Sequence, residues 1–176
     1  MKNLILFLLM PFSVLAQSEL TTSNFEKIES SYSSFSEKMF YDIGKVKGLK
    51  FQVVKLTNIL KKESIKSLRL EYVYKTQYTS DTKVAVLDAD EIDGLLSALK
   101  YIQTTVLPET RNAYCEITFK SRSGFRAGVY FDFEKLLWKP FLQLKQFDSN
   151  SSVFLPIEDF PSLILLINKA NESIKL

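Results

Sequence analysis

The sequence predicts an α+β fold, with a mainly antiparallel sheet from two similar β-rich halves, each closed by an amphipathic helix. Three observations predict this fold class: several short runs in which apolar and polar residues alternate, two stretches with apolar residues at helical spacing, and a weak internal repeat. The chain has 176 residues, 46% hydrophobic and 24% charged, which is typical of a globular domain. We therefore expect one α+β domain over residues 42–176, with halves of about 42–107 and 112–176.

The internal repeat lies at two strand-to-helix junctions. Residues 84–96 and 152–164 both run from an apolar strand through a short link to two acidic residues, an apolar residue and then an apolar pair. Few positions are identical, so a chance similarity of two such junctions is the alternative explanation. We favour a duplicated β-rich unit closed by a helix.

Two helices are predicted, and each has one apolar stripe. The first, over about 89–106, begins at Asp88 and Glu91, because acids there accept orphan amide protons and suit the positive end of the helix dipole. It ends before Pro108, since the residue before a proline avoids helical geometry. The second spans about 158–174. The stripes are Ile92, Leu95, Leu96, Leu99, Ile102 and Val106 in the first helix, and Phe160, Leu163, Ile164, Ile167, Ala170 and Ile174 in the second.

Two runs in the first half have the alternation of half-buried strands. Residues 49–56 contain one change of parity, at Val53 and Val54, which predicts a β-bulge there. Residues 68–75 alternate throughout, and the polar residues 61–64 form the turn between the two runs.

A β-hairpin is predicted in the second half. Residues 113–120 and 125–133 both alternate, and Gly124 can adopt the positive φ that a short hairpin turn needs. A further strand is predicted from Trp138–Phe147, in which Pro140 indicates an edge position or a bulge.

The N-terminus is predicted to be a secretory signal peptide. Residues 1–16 combine one lysine with an apolar run too short to span a membrane, and small residues near Ala16 favour cleavage after it. We therefore expect a periplasmic or secreted protein with no membrane span after cleavage.

Residues 17–41 predict a serine-rich arm or a peripheral helix, with a capping-box match at Ser23 and Glu26. The helically spaced residues are Phe25, Ile28, Tyr32, Phe35 and Met39.

Composition excludes several classes of site. The chain has no histidine and one cysteine, which excludes Cys/His zinc sites and both Ser-His-Asp and Cys-His catalysis. Cys115 alternates in step with apolar residues, so we expect it to pack in the core as a small hydrophobic side chain. The net charge of +3 argues against a nucleic-acid-binding protein, which is usually strongly basic. We expect no catalytic residue, no metal and no cofactor.

An acidic cluster stands at the start of the first predicted helix, formed by Asp88, Asp90, Glu91 and Asp93. Such carboxylates could hold Ca²⁺ or act as a pair in glycoside hydrolysis. The cluster lacks the pattern of a calcium-binding loop, and the helix cap and dipole already account for acids at this place. We expect a structural role.

The candidate binding residues lie on the predicted hairpin. They are Lys120, Arg122, Arg126, Tyr114 and Tyr130. The three cations are predicted to converge at the hairpin tip, and the two tyrosines to share its outer face with Phe141 and Phe147. Cations beside aromatic rings could hold a carboxylate, a phosphate or a sugar ring. The alternative is a solvated tip whose charges discourage edge pairing.

The order of elements, several antiparallel strands followed by one helix and then repeated, resembles the ββββα units of Whirly and PUR-type proteins. That resemblance is one of topology. The segments Leu87–Gly94 and Glu116–Gly124 are similar to segments of small secreted bacterial proteins of unknown function. This second resemblance covers most of the chain after residue 16 and implies no assigned activity.

Three functions are compatible with these observations. We favour a secreted, non-catalytic module that binds a protein or a cell-envelope component through aromatic residues on its outer face. The alternative is a carrier that holds a small apolar ligand between the sheet and the helices. An enzyme that uses carboxylates, lysine or serine is the third, and it needs paired groups with displaced pKa values, which a sequence alone does not reveal.

Overall fold

The computed structural model describes residues 22–31 and 35–176. In chain order, its elements are α1 (Asn24–Glu29), β1 (Ser36–Val46), β2 (Leu49–Asn58), β3 (Glu63–Lys75), β4 (Ser80–Asp88), α2 (Ala89–Tyr101), a π-helical turn (Ile102–Val106), β5 (Glu116–Lys120), β6 (Arg126–Asp132), β7 (Leu137–Gln143), β8 (Ser152–Phe154) and α3 (Phe160–Lys175). The strands form two four-stranded antiparallel sheets, ordered β1-β2-β3-β4 and β5-β6-β7-β8, and a helix follows each sheet. The predicted α+β fold with two similar halves is confirmed.

Both predicted long helices are present, and local signals explain their starts. α2 and the π-helical turn together cover the residues predicted to be helical, 89–106. Asp88 and Glu91 form a capping box, in which the Asp88 N–H donates to Glu91 Oε2 at 3.1 Å. α3 has Pro161 in its first turn, where the missing N–H would have no helical partner.

One core joins the two halves. α2 packs against α3 and contacts strands of both sheets, whereas α3 packs against β1, β2 and β3, although it follows the second sheet in the chain. Apolar side chains from both sheets and both helices form one buried cluster, in which Phe51, Leu99 and Phe131 are inaccessible to solvent. The two sheets therefore share the apolar burial that stabilises the fold.

β2 differs from its prediction. It pairs with β1 and β3 without a register shift at Val53 and Val54, so the bulge predicted there was wrong. The shift lies in β1, between Asp42 and Gly44. Both faces of β2 are buried, because α1 covers the face opposite the main core and packs Phe25 against Val54. A strand buried on both faces loses the alternation that distinguishes its faces, which mimics a bulge in the sequence.

The serine-rich arm contains a short helix and the beginning of the first sheet. Ser23 and Glu26 form the predicted capping box of α1. The helical spacing through Phe35 and Met39 was misleading, because Met39 lies in β1. That strand begins at Ser36, before the predicted boundary at residue 42, and pairs with β2 along its length. Sheet pairing outweighs a helix propensity that serine weakens.

The predicted signal peptide, residues 1–16, lies outside the described residues, as does Tyr32. In residues 22–31 and 35–176, no helix combines the length and the apolar content that crossing a membrane requires.

The predicted hairpin is confirmed as β5 and β6. Gly124 has a φ of 86° in the turn, a value that glycine adopts without strain. Gly128 in β6 lies where β5 approaches closely, since a Cβ atom at this position would lie 2.1 Å from the Ile117 carbonyl oxygen. Only glycine fits between these two strands.

β7 differs from the strand predicted over Trp138–Phe147. It ends at Gln143, and it is an inner strand with β6 on one side and β8 on the other, so the predicted edge position was wrong. β8 pairs only with residues 141–143, and beyond that ladder the Leu155 N–H donates to the Pro140 carbonyl oxygen at 3.0 Å. Pro140 has no N–H to donate, and it is tolerated because the ladder between β7 and β8 covers only residues 141–143 and requires no hydrogen bond from its nitrogen.

Candidate functional site

The outer face of the second sheet carries a cluster of four aromatic rings. We call it the aromatic platform, and it consists of Tyr114 just before β5, Tyr130 on β6, Phe141 on β7 and Phe154 on β8. The ring centroid of Tyr130 is 6.1 Å from that of Tyr114 and 6.2 Å from those of Phe141 and Phe154. Tyr114 and Phe154 are 61% and 62% exposed. These two rings present aromatic surface to solvent, whereas Tyr130 is half-buried and Phe141 is buried.

Strand register explains why residues distant in the sequence meet here. Phe141 lies opposite Phe154 in β8 and opposite Gly128 in β6, and Tyr130 lies opposite Glu116 in β5. Gly128 contributes no side chain to this face. A shallow groove of about 290 Å³ lies on it, lined by the platform and by the polar residues Glu116, Arg126, Gln143 and Ser152.

Arg126 and Glu116 form the charged pair at one side of the groove. Arg126 Nη2 donates to Glu116 Oε2 at 3.0 Å, and the guanidinium carbon lies 5.8 Å from the Phe141 ring centroid. The Tyr114 hydroxyl donates to the other carboxylate oxygen of Glu116. This hydrogen bond, with burial as the smaller cause, raises the pKa of Tyr114 to about 12. Tyr114 is therefore a neutral hydrogen-bond donor at physiological pH.

Lys139 and Asp132 form a second charged pair beside the platform. Lys139 Nζ donates to Asp132 Oδ2 at 2.5 Å and lies 5.8 Å from the Tyr130 ring centroid. The hydrogen bond between them raises the pKa of Lys139 and lowers the pKa of Asp132. Both cations therefore have a carboxylate partner, so the platform is polar without strong net charge.

Arg122 does not join the other two predicted cations. Its turn folds back on the start of α2, where Nη2 donates to Asp88 Oδ2 at 2.8 Å and Nη1 to Asp90 Oδ2 at 2.8 Å. The Arg122 N–H also donates to Glu91 Oε1 at 2.7 Å. The hydrogen bond to Asp90 is the main cause that raises the pKa of Arg122 and lowers that of Asp90. The prediction that three cations converge at the hairpin tip was wrong, because these carboxylates attract the guanidinium to the other half.

The acidic cluster is used within the chain. Asp88 is a buried hub, since its carboxylate also accepts from the N–H groups of Asn24 and Phe25 at 2.6 and 3.1 Å. Asp93 accepts from Asn171 Nδ2 at 2.7 Å and from Lys175 Nζ at 3.0 Å, and the Asn171 hydrogen bond is the main cause that lowers its pKa. These acids join α2 to α1, to the hairpin turn and to α3. In the part of the chain that the structure describes, no group of three or more acidic or cysteine side chains is placed to hold a metal ion.

The remaining predicted residues lie in different places. Lys120 is exposed at the end of β5 opposite Arg126, and it makes no ion pair with the residues that the structure describes. Phe147 is exposed in the loop after β7 and is not a member of the platform. Cys115 packs against the main core, but it is half-buried and not a member of the core as expected, because it lies just before β5 begins.

Sequence reasoning missed six residues of the site: Phe154, Glu116, Lys139, Asp132, Gln143 and Ser152. The alternation of Phe154 with the buried Val153 and Leu155 would have indicated an outward-facing ring. Glu116 and Lys139 gave no such signal, because a charged residue on an outer strand face is usually only solvated. Their importance depends on which residues lie opposite them.

A second cavity lies beside the platform and shares Phe154 with it. We call it the linker cleft, because residues 107–110, which join the two halves, form one wall. It has a volume of about 510 Å³, and its other walls are largely apolar side chains of β7 and of residues 154–157. Trp138 Nε1 donates to the Glu109 carbonyl oxygen at 2.7 Å and so fixes the linker against β7.

Comparison with protein-family models, with curated proteins and with solved structures finds no match to this chain.

Proposed function

We propose that this protein is a non-catalytic binding module that acts outside the cytoplasm, and that the aromatic platform is its binding surface. The observation that carries the proposal is the cluster of four rings on a sheet face that is otherwise lined by paired charges. Tyrosine and arginine are the residues that most often dominate binding interfaces, because they bury large areas and retain polar groups. The location outside the cytoplasm rests on the predicted signal peptide.

The platform suits a partner with both apolar faces and hydrogen-bonding groups. Its rings offer flat apolar surface, while Glu116, Arg126, Gln143 and Ser152 offer donors and acceptors along the same groove. The two cations are already paired with carboxylates, so an acidic polymer gains little from them. A glycan of the cell envelope or a protein segment fits this chemistry better than a nucleic acid.

Co-sedimentation with purified peptidoglycan tests the glycan arm of the proposal. We expect the protein to sediment with the polymer, and Tyr130→Ala or Arg126→Ala to weaken this binding by about 10-fold or more, because both residues line the groove. Phe147→Ala is the matched control, since it removes an exposed ring outside the platform. Equal binding by all three variants would contradict the proposal for this ligand.

Site-specific photo-crosslinking in the native host tests the protein arm. A benzoylphenylalanine at position 154 lies in the platform, and the same group in place of the exposed Tyr78 is the control. We expect a defined adduct from position 154 and none from position 78. If neither arm yields binding that depends on the platform, the proposed surface is wrong.

Binding of a labelled single-stranded oligonucleotide instead would point to the function of the Whirly and PUR-type proteins.

The carrier of a small apolar ligand is a second candidate, and the linker cleft favours it. A volume of about 510 Å³ is within the range of small-molecule sites, and the walls are mainly apolar. Native mass spectrometry of the protein purified from its host measures any non-covalent mass directly. For a carrier we expect an added mass that Leu137→Lys removes, because this change puts a charge into the cleft. A bare chain mass would favour the binding module.

A further inference from the structure

The free edge of the first sheet is long and carries exposed apolar side chains. β1 has eleven residues and is the outermost strand, with β2 on one side and, among the residues that the structure describes, no strand on the other. Met39, Phe40 and Tyr41 follow one another at its centre, and all three are exposed, Phe40 by 49%. An edge of this kind offers unpaired main-chain groups to another strand.

The hydrogen-bonding parity of β1 identifies the main-chain groups that face this edge. The Phe35 carbonyl oxygen accepts from the Ile59 N–H at 2.8 Å, so the main-chain groups of Phe35 point toward β2. Because orientation alternates along a strand, those of Met39 and Tyr41 also point toward β2. The main-chain groups of Lys38, Phe40 and Asp42 therefore point outward from the sheet.

We infer that β1 pairs antiparallel with β1 of a second copy of this chain, about a twofold axis at Phe40. In this register Phe40 lies opposite Phe40 of the second copy, and Lys38 lies opposite Asp42 of the second copy. The two charges stand at equal distances on either side of Phe40, with opposite signs. The edge is therefore complementary to itself, which is what a twofold interface requires.

The rest of β1 agrees with this pairing. Met39 lies opposite Tyr41 of the second copy on the other face, so exposed apolar groups meet each other. The outward residues supply three hydrogen-bonded residue pairs, with about six main-chain hydrogen bonds. The register shift between Asp42 and Gly44 ends the regular edge just after the last of these pairs. In the single chain, Asp42 is held from β2 by Lys50 at 2.9 Å and by Gln52 Nε2, which donates to it at 2.7 Å, and Lys38 is held by Glu29. Pairing with a second copy therefore exchanges these partners for the opposite charges across the twofold axis.

Disulfide trapping tests the register. The background is Cys115→Ser, which removes the native cysteine. In a twofold pair only residue 40 lies beside its own copy, at a Cα separation of about 5.5 Å that a disulfide spans. We expect Phe40→Cys to form a covalent dimer at least ten times faster than the exposed control Glu37→Cys, whose copies are about 20 Å apart. Equal rates for the two variants, or no dimer from Phe40→Cys, would overturn the inference.

Charge exchange tests the same interface without a new covalent bond. We expect sedimentation equilibrium of the unmodified protein to give twice the chain mass, and Lys38→Glu or Asp42→Lys alone to weaken dimerisation about 10-fold. The double variant should recover dimerisation. Its two ion pairs within the chain, to Glu29 and Lys50, are still lost, so recovery of the dimer depends on the charge pair with the second copy. A monomeric unmodified protein would refute the pairing, and this is the result expected if the edge binds a different partner. A double variant that dimerises more weakly than both single variants would also refute it. Circular dichroism confirms that each variant is folded.

Discussion

Replacement of Arg122 by methionine should lower the free energy of unfolding by about 3 kcal/mol. Arg122 is the charged partner of Asp88, whose side chain is 1% exposed and lies 2.8 Å away. Removing one member of a buried ion pair costs about 3–5 kcal/mol, because the other charge stays buried. Asp88 keeps two main-chain donors, the N–H groups of Asn24 and Phe25, which places the loss at the lower end. Asp90 is mostly exposed and adds less than about 1 kcal/mol.

The same hairpin offers a matched control in Arg126. The two arginine side chains are equally exposed, at 33% and 32%, but the partner of Arg126 is the exposed Glu116. Arg126→Met should therefore change the free energy of unfolding by less than about 1 kcal/mol. Urea denaturation followed by circular dichroism measures both values, provided that the m-values agree. If Arg122→Met is no more destabilising than Arg126→Met, the contact with Asp88 does not hold the two halves together.

A double variant separates the ion pair from other effects of losing Arg122. Asp88→Asn removes the buried charge but keeps an acceptor for a main-chain N–H. When Asp88→Asn is combined with Arg122→Met, neither member of the pair is left as an unpaired charge. The double variant should therefore be more stable than the sum of the two single losses predicts. Strict additivity would mean that the two side chains do not interact in solution.

Three further predictions concern the core, the strand contact and the platform. Leu99→Ala should destabilise by about 2–5 kcal/mol, because Leu99 is fully buried; a change below about 0.5 kcal/mol in the same assay would place α2 at the surface. Gly128→Ala should destabilise by about 3 kcal/mol or more, since the new Cβ would lie 2.1 Å from the Ile117 carbonyl oxygen and must displace β5; wild-type stability would refute this close approach. Absorbance titration should show one tyrosine that ionises at about 12 instead of 10.0, and Tyr114→Phe should remove that step. Because the folded-state pKa is raised, the stability contributed by this hydrogen bond is complete below pH 10.0 and is lost as the pH rises toward about 12.

Features that depend on neighbours in the chain were predictable. The spacing of apolar residues located α2 and α3, because a helix buries every third or fourth residue on one face. The capping boxes at Ser23 and Asp88 were visible for the same reason, as each involves two residues three positions apart. The β5-β6 hairpin followed from alternation on both sides of Gly124. In each case the interactions that produce the feature involve residues close together in the sequence.

Part of the candidate site was also predictable. Tyr114, Tyr130 and Arg126 belong to the hairpin and its approach, so their common face follows from strand parity. Phe154 joins them only because β8 adds to β7, and no local pattern identifies that pairing. Three rings of the platform, Tyr114, Tyr130 and Phe141, were therefore predictable from strand parity, whereas Phe154 was not.

Contacts between the two halves arise only in the tertiary structure. Arg122 contacts Asp90, which lies 32 positions earlier in the chain. α3, which follows the second sheet, packs on the first sheet. β1 is a strand despite the helical spacing in its sequence, because its residues form main-chain hydrogen bonds with β2 along its length. The helix in this region is limited to α1, which ends at Glu29. Local propensities amount to tenths of a kcal/mol per residue, whereas shared burial and sheet pairing add over many residues. Periodicity and caps thus determine which segments are helices and hairpins, and long-range packing decides which of their faces meet.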